Sequence, residues 1–333
     1  AINQHIDFFG VARIPEALEL RENQCNKPIV VMSELLNSDK LQFMQQHSLI
    51  PVIYSDQQLA QIQSHAEKLQ IPYWLKVDTG MHRLGLQQQT ASALSNADHC
   101  TAIVTHFHSA EQSATNSTEQ QLSLFQRQVD THLSSTTTQS KSFSVANSAT
   151  LLNDRDKASY HSWRQTLFND KKFQHEIIRP GIMLYGNDPL QQKNIISARL
   201  QPAMTLMAPI IDLHQVDTGE GVGYNQRWRA SKPSLLATVG IGYGDGYPRH
   251  TGDGLSIAIN GLIAPIVGTV SMDMLSIDIT ELVDSGATIA IGDSVELWGR
   301  TISIDHVAQC TGTISYDLCT RISPRVVREY RTQ

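Results

Sequence analysis

Cysteine is scarce in this sequence and never closely paired. Cys25, Cys100, Cys310 and Cys319 are widely scattered, with no Cys-x-x-Cys among them. That argues against a zinc site and against a small disulfide scaffold, and it points to a reducing compartment. No apolar run approaches the length needed to span a bilayer. Neither sign of charge is in large excess, and a net charge of -6 gives no support for nucleic acid or an anionic membrane as partner. The chain opens on Ala1-Ile2-Asn3, without a methionine or a signal peptide. No Gly-x-Gly-x-x-Gly follows the first predicted strand, so a dinucleotide fold is poorly supported.

What is present is a chain of 333 residues, 41% hydrophobic and 17% charged, with enough apolar material for a core and enough length for one large domain or two of ordinary size. The first half alternates short apolar runs with helical patterns. Strands are predicted at residues 8–12, 28–32, 50–54, 73–78, 102–107, 142–147 and 177–181, with polar helices such as 55–69 and 117–133 between them. Regular alternation means a parallel sheet with helical crossovers. A closed barrel of this kind needs eight strands, and seven are legible. One strand is hidden, or the sheet is open, or the first strand lies outside this chain.

Near residue 200 the pattern changes. Runs at 204–216, 234–243, 255–260, 263–270, 275–279 and 294–298 are β-rich, separated by turn residues such as Asn260-Gly261, and helical patterns are scarce. A second, mainly β domain follows, with a boundary near Pro202. Residues 136–138 and 153–174 read as surface loops.

Residues 76–85, Lys-Val-Asp-Thr-Gly-Met-His-Arg-Leu-Gly, crowd Lys76, Asp78, His82 and Arg83 together at a predicted strand end. In parallel barrels chemistry collects at such ends, although Asp-Thr-Gly is also an ordinary turn. By itself Lys76 is a candidate for a covalent lysine nucleophile. His106 and Asn147-Ser148 occupy further strand ends; a lone histidine there is more often structural than catalytic. Asn147-Ser148 and Arg179-Pro180-Gly181, on the last two strands, suggest a phosphorylated ligand. In the β half, the glycine- and tyrosine-rich residues 241–249, Ser271-Met272-Asp273-Met274 and Thr313-Ile314-Ser315-Tyr316 place polar groups beside apolar strands. Tight hairpins with packed tyrosines are the alternative.

Taken together, these segments closely resemble alanine racemase. The resemblance runs through Phe9-Gly10-Val11-Ala12-Arg13, residues 76–85, Ala146-Asn147-Ser148-Ala149 and Arg179-Pro180-Gly181-Ile182-Met183-Leu184-Tyr185-Gly186. It continues in Pro202-Ala203-Met204-Thr205-Leu206, residues 242–248, Ser271-Met272-Asp273-Met274 and Pro324-Arg325-Val326, in family order over almost the whole chain. It implies an α/β (β/α)8 TIM-type barrel at 1–201, followed by a mainly β C-terminal domain at 202–333. It also implies a cytoplasmic homodimer with active sites shared between subunits, using pyridoxal 5'-phosphate (PLP) to interconvert L- and D-alanine for peptidoglycan.

By the same resemblance, Ser148, the backbone of Gly181 and Ile182, and Tyr316 hold the PLP phosphate, with Asn147 beside them. Arg179 faces the pyridine nitrogen. Tyr243 is one of two bases and reaches in from the partner subunit. Arg83 and His106 form its network, Arg83 also steers the substrate carboxylate, and Met272 and Asp273 line the substrate site. Lys76 aligns with a supporting lysine, commonly carbamylated, that positions the arginine. The family's Schiff-base lysine, in a Lys-Ala-x-Ala-Tyr-Gly-His-Gly type motif on the first barrel strand, has no counterpart here, in keeping with the seven strands. Three readings follow: a fragment of an ordinary racemase, a degenerate non-catalytic PLP-binding relative, or a chain in which Lys76 carries the Schiff base. A racemase of broader amino-acid range is a further alternative. Residues 153–174 form an insertion where the family connects two strands more briefly.

Overall fold

The computed structural model describes residues 2–65, 70–86, 99–112, 116–132, 141–153, 157–169, 173–251 and 254–331. The loop expected at 136–138 lies outside them. Two units divide the chain: residues 1–181 with 189–198, and residues 182–188 with 199–333. No helix among the described residues is long and apolar enough to cross a membrane.

Seven parallel strands form the sheet of the first unit in chain order: β1 (Phe9–Val11), β2 (Ile29–Val31), β3 (Leu49–Ile53), β4 (Tyr73–Lys76), β5 (Cys100–Val104), β6 (Lys141–Ser144) and β7 (Phe173–Glu176). Between them run α1 (Ile14–Glu22), α2 (Ser38–Gln46), α3 (Asp56–His65), α4 (Ser117–His132), α5 (Ser148–Leu152) and α6 (Lys157–Asn169). Every residue of β2, β3 and β4 is buried, as expected of parallel strands covered on both faces. Successive side chains go to opposite faces. Ile29, Val31, Leu49, Ile53, Tyr73 and Leu75 pack in the large core beneath the helices, whereas Val30, Ile50, Val52, Trp74, Ala102 and Val104 form a smaller cluster on the other face. Lys76 follows Leu75 and so returns to the face of Trp74. Alternation alone therefore delivers a lysine to the inner face at a strand's carboxyl end.

Two expectations for this unit are corrected. Six strands lie where the sequence placed them, but the seventh is residues 173–176, ahead of the expected 177–181. Phe173 is the reason: it is buried and meets Phe143 edge-on at 5.2 Å. Beyond it the chain still follows β6, through Ile177 N–H to Phe143 O (2.8 Å) and Arg179 N–H to Ala146 O (2.9 Å), until Pro180, which has no N–H to continue the pairing. Residues 153–174 are likewise no surface loop. They contain α6, whose Trp163 packs edge-on against Phe125 (6.0 Å) and Phe143 (5.7 Å), with Leu167 fully buried. The signal was present as Tyr160, Trp163 and Leu167 at helical spacing, masked by polar neighbours.

In the second unit, β8 (Leu206–Val216), β11 (Ser234–Val239), β12 (Ser256–Ile259), β13 (Leu262–Val267), β14 (Leu275–Asp278) and β15 (Ser294–Trp298) close an antiparallel barrel. The short strands β9 (Gly221–Val222) and β10 (Trp228–Arg229) pair apart from it. Asn260 and Gly261 both adopt positive φ (51° and 82°) in the two-residue turn where Ile259 faces Leu262, the hairpin that Asn-Gly encodes. Helices are more frequent than the sequence suggested: α7 (Thr280–Asp284), α8 (Ile304–Cys310) and α9 (Ser315–Arg321) follow the strands. Tyr316 accordingly belongs to a helix start, not to a strand edge.

Candidate active site

The backbone after β4 doubles back on itself. Leu86 N–H donates to Lys76 O (2.9 Å) and Asp78 N–H to Leu86 O (3.1 Å), so residues 77–86 form a loop closed at its neck. The Asp78 carboxylate organises the turn by accepting from the amides of Gly80 (3.0 Å) and His82 (3.1 Å) and from the His82 ring (2.9 Å). Burial alone would raise its pKa, but these donors outweigh burial and hold it below the usual carboxylate value. Asp78-Thr79-Gly80 is thus a turn, and the turn presents exposed Arg83. Gly85 makes the neck possible. Its φ is 141°, and a Cβ there would come within 2.5 Å of Asp78 N. Gly85→Ala is expected to cost about 1–3 kcal/mol in backbone strain alone, read as a lower urea midpoint with new protease cleavage between residues 77 and 86.

The ends of β4, β5 and β6 and the chain after β7 bring Lys76, His106 and Arg179 together. Arg179 is the structural hub. Its guanidinium donates to Thr105 O (2.7 Å), Val145 O (3.3 Å) and the Ser144 hydroxyl (2.5 Å). Its Nη2 also lies 3.5 Å from His106 Nδ1. An arginine only donates, so Nδ1 is the acceptor and the imidazole proton resides on Nε2. Burial, then the positive charges of Arg83 and Arg179, push the Lys76 amine down to about 8, with Asp78 opposing. Burial, then Arg179, Lys76 and Arg83, push His106 down to about 4. Burial lowers Arg179 itself to about 10, with Glu176 opposing. The result is a neutral imidazole, an amine partly uncharged near neutrality, and positive potential suited to an anion.

His106 also makes the fold acid-sensitive. Its folded pKa is about 4 against an ordinary 6.5. Between those values the unfolded chain binds a proton that the folded chain refuses, so stability falls as pH drops through this window. The full effect is on the order of 3 kcal/mol. His106→Gln is expected to lose less stability than the parent between about pH 7 and about pH 4.5, measured as urea midpoints of the cofactor-free protein.

The braces of this site went unread in the sequence. The Thr105 hydroxyl donates to Val77 O (3.0 Å) and meets the Thr79 hydroxyl at 2.8 Å. Gln121, on α4, donates to the Thr79 hydroxyl (3.0 Å) and His106 O (3.1 Å) and accepts from His108 N–H (3.0 Å). Gln128, two turns further along, donates to Asp78 O (3.1 Å). Both glutamines are buried on the face that carries Leu122, Phe125 and Val129. Amides in phase with an apolar stripe were the available signal.

Asn147 caps α5, its side-chain oxygen accepting from Thr150 N–H and Oγ1 (both 3.0 Å). Ser148 Oγ accepts from Gly181 N–H (2.9 Å), and a Cβ at Gly181 would meet nothing nearer than this Oγ at 3.9 Å. The bond brings a hydroxyl and a backbone amide together, two residues along the chain from Arg179, into a small polar cradle. Ile182, the next residue, is buried at the start of the short 3-10 helix Ile182–Tyr185.

In the second unit the two tyrosines of the glycine-rich segment part company. Tyr247 is buried and stacks on Trp298 in the barrel core (5.8 Å, 15° between planes). Tyr243 is exposed on a 3-10 turn that follows β11. Packed and presented tyrosines thus share one loop. The turn docks on the Met272 loop through Tyr243 N–H to Ser271 O (3.1 Å) and Gly244 N–H to Met272 O (2.8 Å). Gly242 permits this approach, because a Cβ there would lie 2.3 Å from Ser271 O. Tyr243, Met272 and Asp273 are therefore gathered together, and Tyr316 stands, exposed, in the first turn of α9.

Comparison with known proteins bears on what such residues serve. Residues 1–189 match the family model of the alanine racemase N-terminal domain, and residues 203–330 that of the alanine racemase C-terminal domain. An alanine racemase of Chromohalobacter salexigens is 38% identical over 330 residues, covering 97% of this chain and 83% of its own. The crystal structure of biosynthetic alanine racemase from Pseudomonas aeruginosa superposes with a TM-score of 0.84 at 32% identity, over 99% of this chain and 87% of that one. An alanine racemase from Bartonella henselae with covalently bound pyridoxal phosphate gives 0.81 at 28% identity, over 98% and 86%.

Proposed function

The chain belongs to the alanine racemase family, a family of enzymes, and we propose that it interconverts L- and D-alanine with PLP as cofactor. The observation that supports this most directly is Arg179, a donor-only group held by Thr105 O, Val145 O and Ser144 beside the Ser148–Gly181 cradle. The donor set fits the cofactor. Hydroxyl and amide donors suit a phosphate dianion, and the positive charge of Arg83 and Arg179, offset in part by Glu176, favours an anion.

Ser148, the amides of Gly181 and Ile182, Asn147 and Tyr316 hold the phosphate. Arg179 would donate a hydrogen bond towards the ring nitrogen and, too weak an acid to surrender its proton, would leave that nitrogen unprotonated, which disfavours transamination. Bound there, the cofactor withdraws electrons from the substrate α-carbon and makes its proton acidic. Tyr243 then takes or returns that proton at its phenolic oxygen, on one face of the substrate. A phenol acting as a base is helped by positive charge nearby; Arg83 supplies it, with His106 in the same network. Arg83 also steers the substrate carboxylate, and Met272 and Asp273 line the substrate site.

Lys76 supports Arg83. Its lowered amine adds to carbon dioxide, forming an N–C bond and releasing a proton, and the resulting carbamate pairs with the guanidinium. The working enzyme is a cytoplasmic homodimer of two-domain subunits (1–201 and 202–333), with Tyr243 serving the partner's site. It supplies D-alanine for peptidoglycan.

The test is intact mass before and after borohydride reduction, with alanine racemisation followed on the same sample. Reductive fixation of PLP together with turnover supports the reading, whereas an adduct mapped to Lys76 would remove its carbamate role. PLP held without turnover would leave a cofactor-binding relative, and the absence of both would remove the proposal.

A further inference from the structure

Behind the Tyr243 turn lies an arginine that none of these roles uses. Arg325 follows α9, and its guanidinium reaches two loops at once. Nε donates to Asp245 Oδ1 (2.7 Å), in the Tyr243 turn, and Nη2 donates to Asp273 Oδ1 (2.8 Å) and Met272 O (3.4 Å), in the facing loop. The second oxygen of Asp245 accepts from Gly242 N–H (2.9 Å), so one carboxylate links the arginine to the backbone just ahead of Tyr243. Gly244 gives a second, independent sign of the same design. A Cβ there would lie 2.6 Å from the Arg325 guanidinium, yet its φ is not one that demands glycine. The missing side chain makes room for the arginine.

We propose that Arg325 is a positioning residue, which sets Tyr243 for proton transfer by clamping its turn to the loop that carries Met272 and Asp273. The proposal rests on Tyr243 being a base. Stability is a poor explanation for the clamp. Side-chain exposure is 47% for Arg325, 56% for Asp273 and 16% for Asp245, and an ion pair made by so open an arginine adds little to stability. The turn is already anchored by Tyr247 in the core and by its amides to Ser271 and Met272. What the clamp adds is geometry. A planar fork holds two carboxylates on two loops at fixed separation, which a single ammonium cannot do.

The experiment compares the cofactor-loaded full-length protein with its Arg325→Ala, Arg325→Lys and Tyr243→Phe variants. A misplacement of about 1 Å costs up to about 100-fold. Arg325→Ala is therefore expected to lower kcat roughly 10- to 100-fold in both directions, with KM little changed and the pH limb that disappears in Tyr243→Phe displaced. Arg325→Lys should recover only a minor part. Hydrogen exchange should quicken at residues 242–247 and not across the barrel strands, a readout independent of turnover. A thermal midpoint lowered by more than about 10 °C would make Arg325 a stability element and overturn the proposal. So would a kcat within about twofold of the parent while Tyr243→Phe is inactive. Full activity in Tyr243→Phe would instead remove the base assignment on which the proposal rests.

Discussion

Tyr243→Phe is expected to lose racemisation by about 10³-fold in both directions while still binding PLP. The substitution removes one oxygen from an exposed side chain, so the fold should change by less than about 0.5 kcal/mol. The proposed cofactor donors Ser148, Gly181 and Arg179 are untouched. What disappears is the only part of the side chain that can carry a proton, and positioned general acid–base groups contribute about 10²- to 10⁴-fold. The check pairs the absorption spectrum of bound PLP, expected unchanged, with rates measured from L- and from D-alanine. Equal loss in both directions is required, because a racemase runs the same proton path each way.

The second large effect is expected at Arg179. Methionine retains much of the aliphatic bulk and none of the donors. Thr105 O, Val145 O and the Ser144 hydroxyl would each lose a charged partner. At about 1 kcal/mol or more for each abandoned acceptor, the loss of stability is on the order of 3 kcal/mol. Arg179 is also the largest electrostatic cause of the low His106 pKa. In Arg179→Met that imidazole rises towards its ordinary value, and the acid-sensitive window below about pH 6.5 narrows. Urea midpoints across pH, and a fluorescence titration with PLP expected to show weaker binding, test both consequences.

Parts of this architecture were legible in the sequence for physical reasons. Six parallel strands announced themselves because strands buried on both faces are continuous apolar runs, as residues 49–53 illustrate. Asn260-Gly261 marked its hairpin because few other pairs tolerate two positive φ values in succession. Both β7 and α6 were misread for one reason: each packs only a few side chains inward (Phe173; Leu167, with Trp163 partly buried) within polar surroundings, so composition concealed periodicity. The chemistry-bearing residues stood out by type. Their supports did not, because Gln121 and Gln128 are ordinary residues whose importance lies in partners distant along the chain: 42 positions separate Gln121 from Thr79, and 50 separate Gln128 from Asp78. Spacing rules see local periodicity, and such pairs have none.

The neck that closes residues 77–86 has an evolutionary consequence. Its two ends are joined by main-chain bonds of Lys76, Asp78 and Leu86, with Gly85 allowing the approach and the side chains of Asp78 and Thr79 fixing the base of the loop. Only the exposed tip around His82 and Arg83 is in effect a cassette: its side chains can vary without transmitting the change to β4. Selection can therefore remodel the surface that carries Arg83, the proposed carboxylate contact, while the sheet beneath stays constant. Exchanging this tip between related enzymes is a route to altered substrate range that leaves the scaffold untouched.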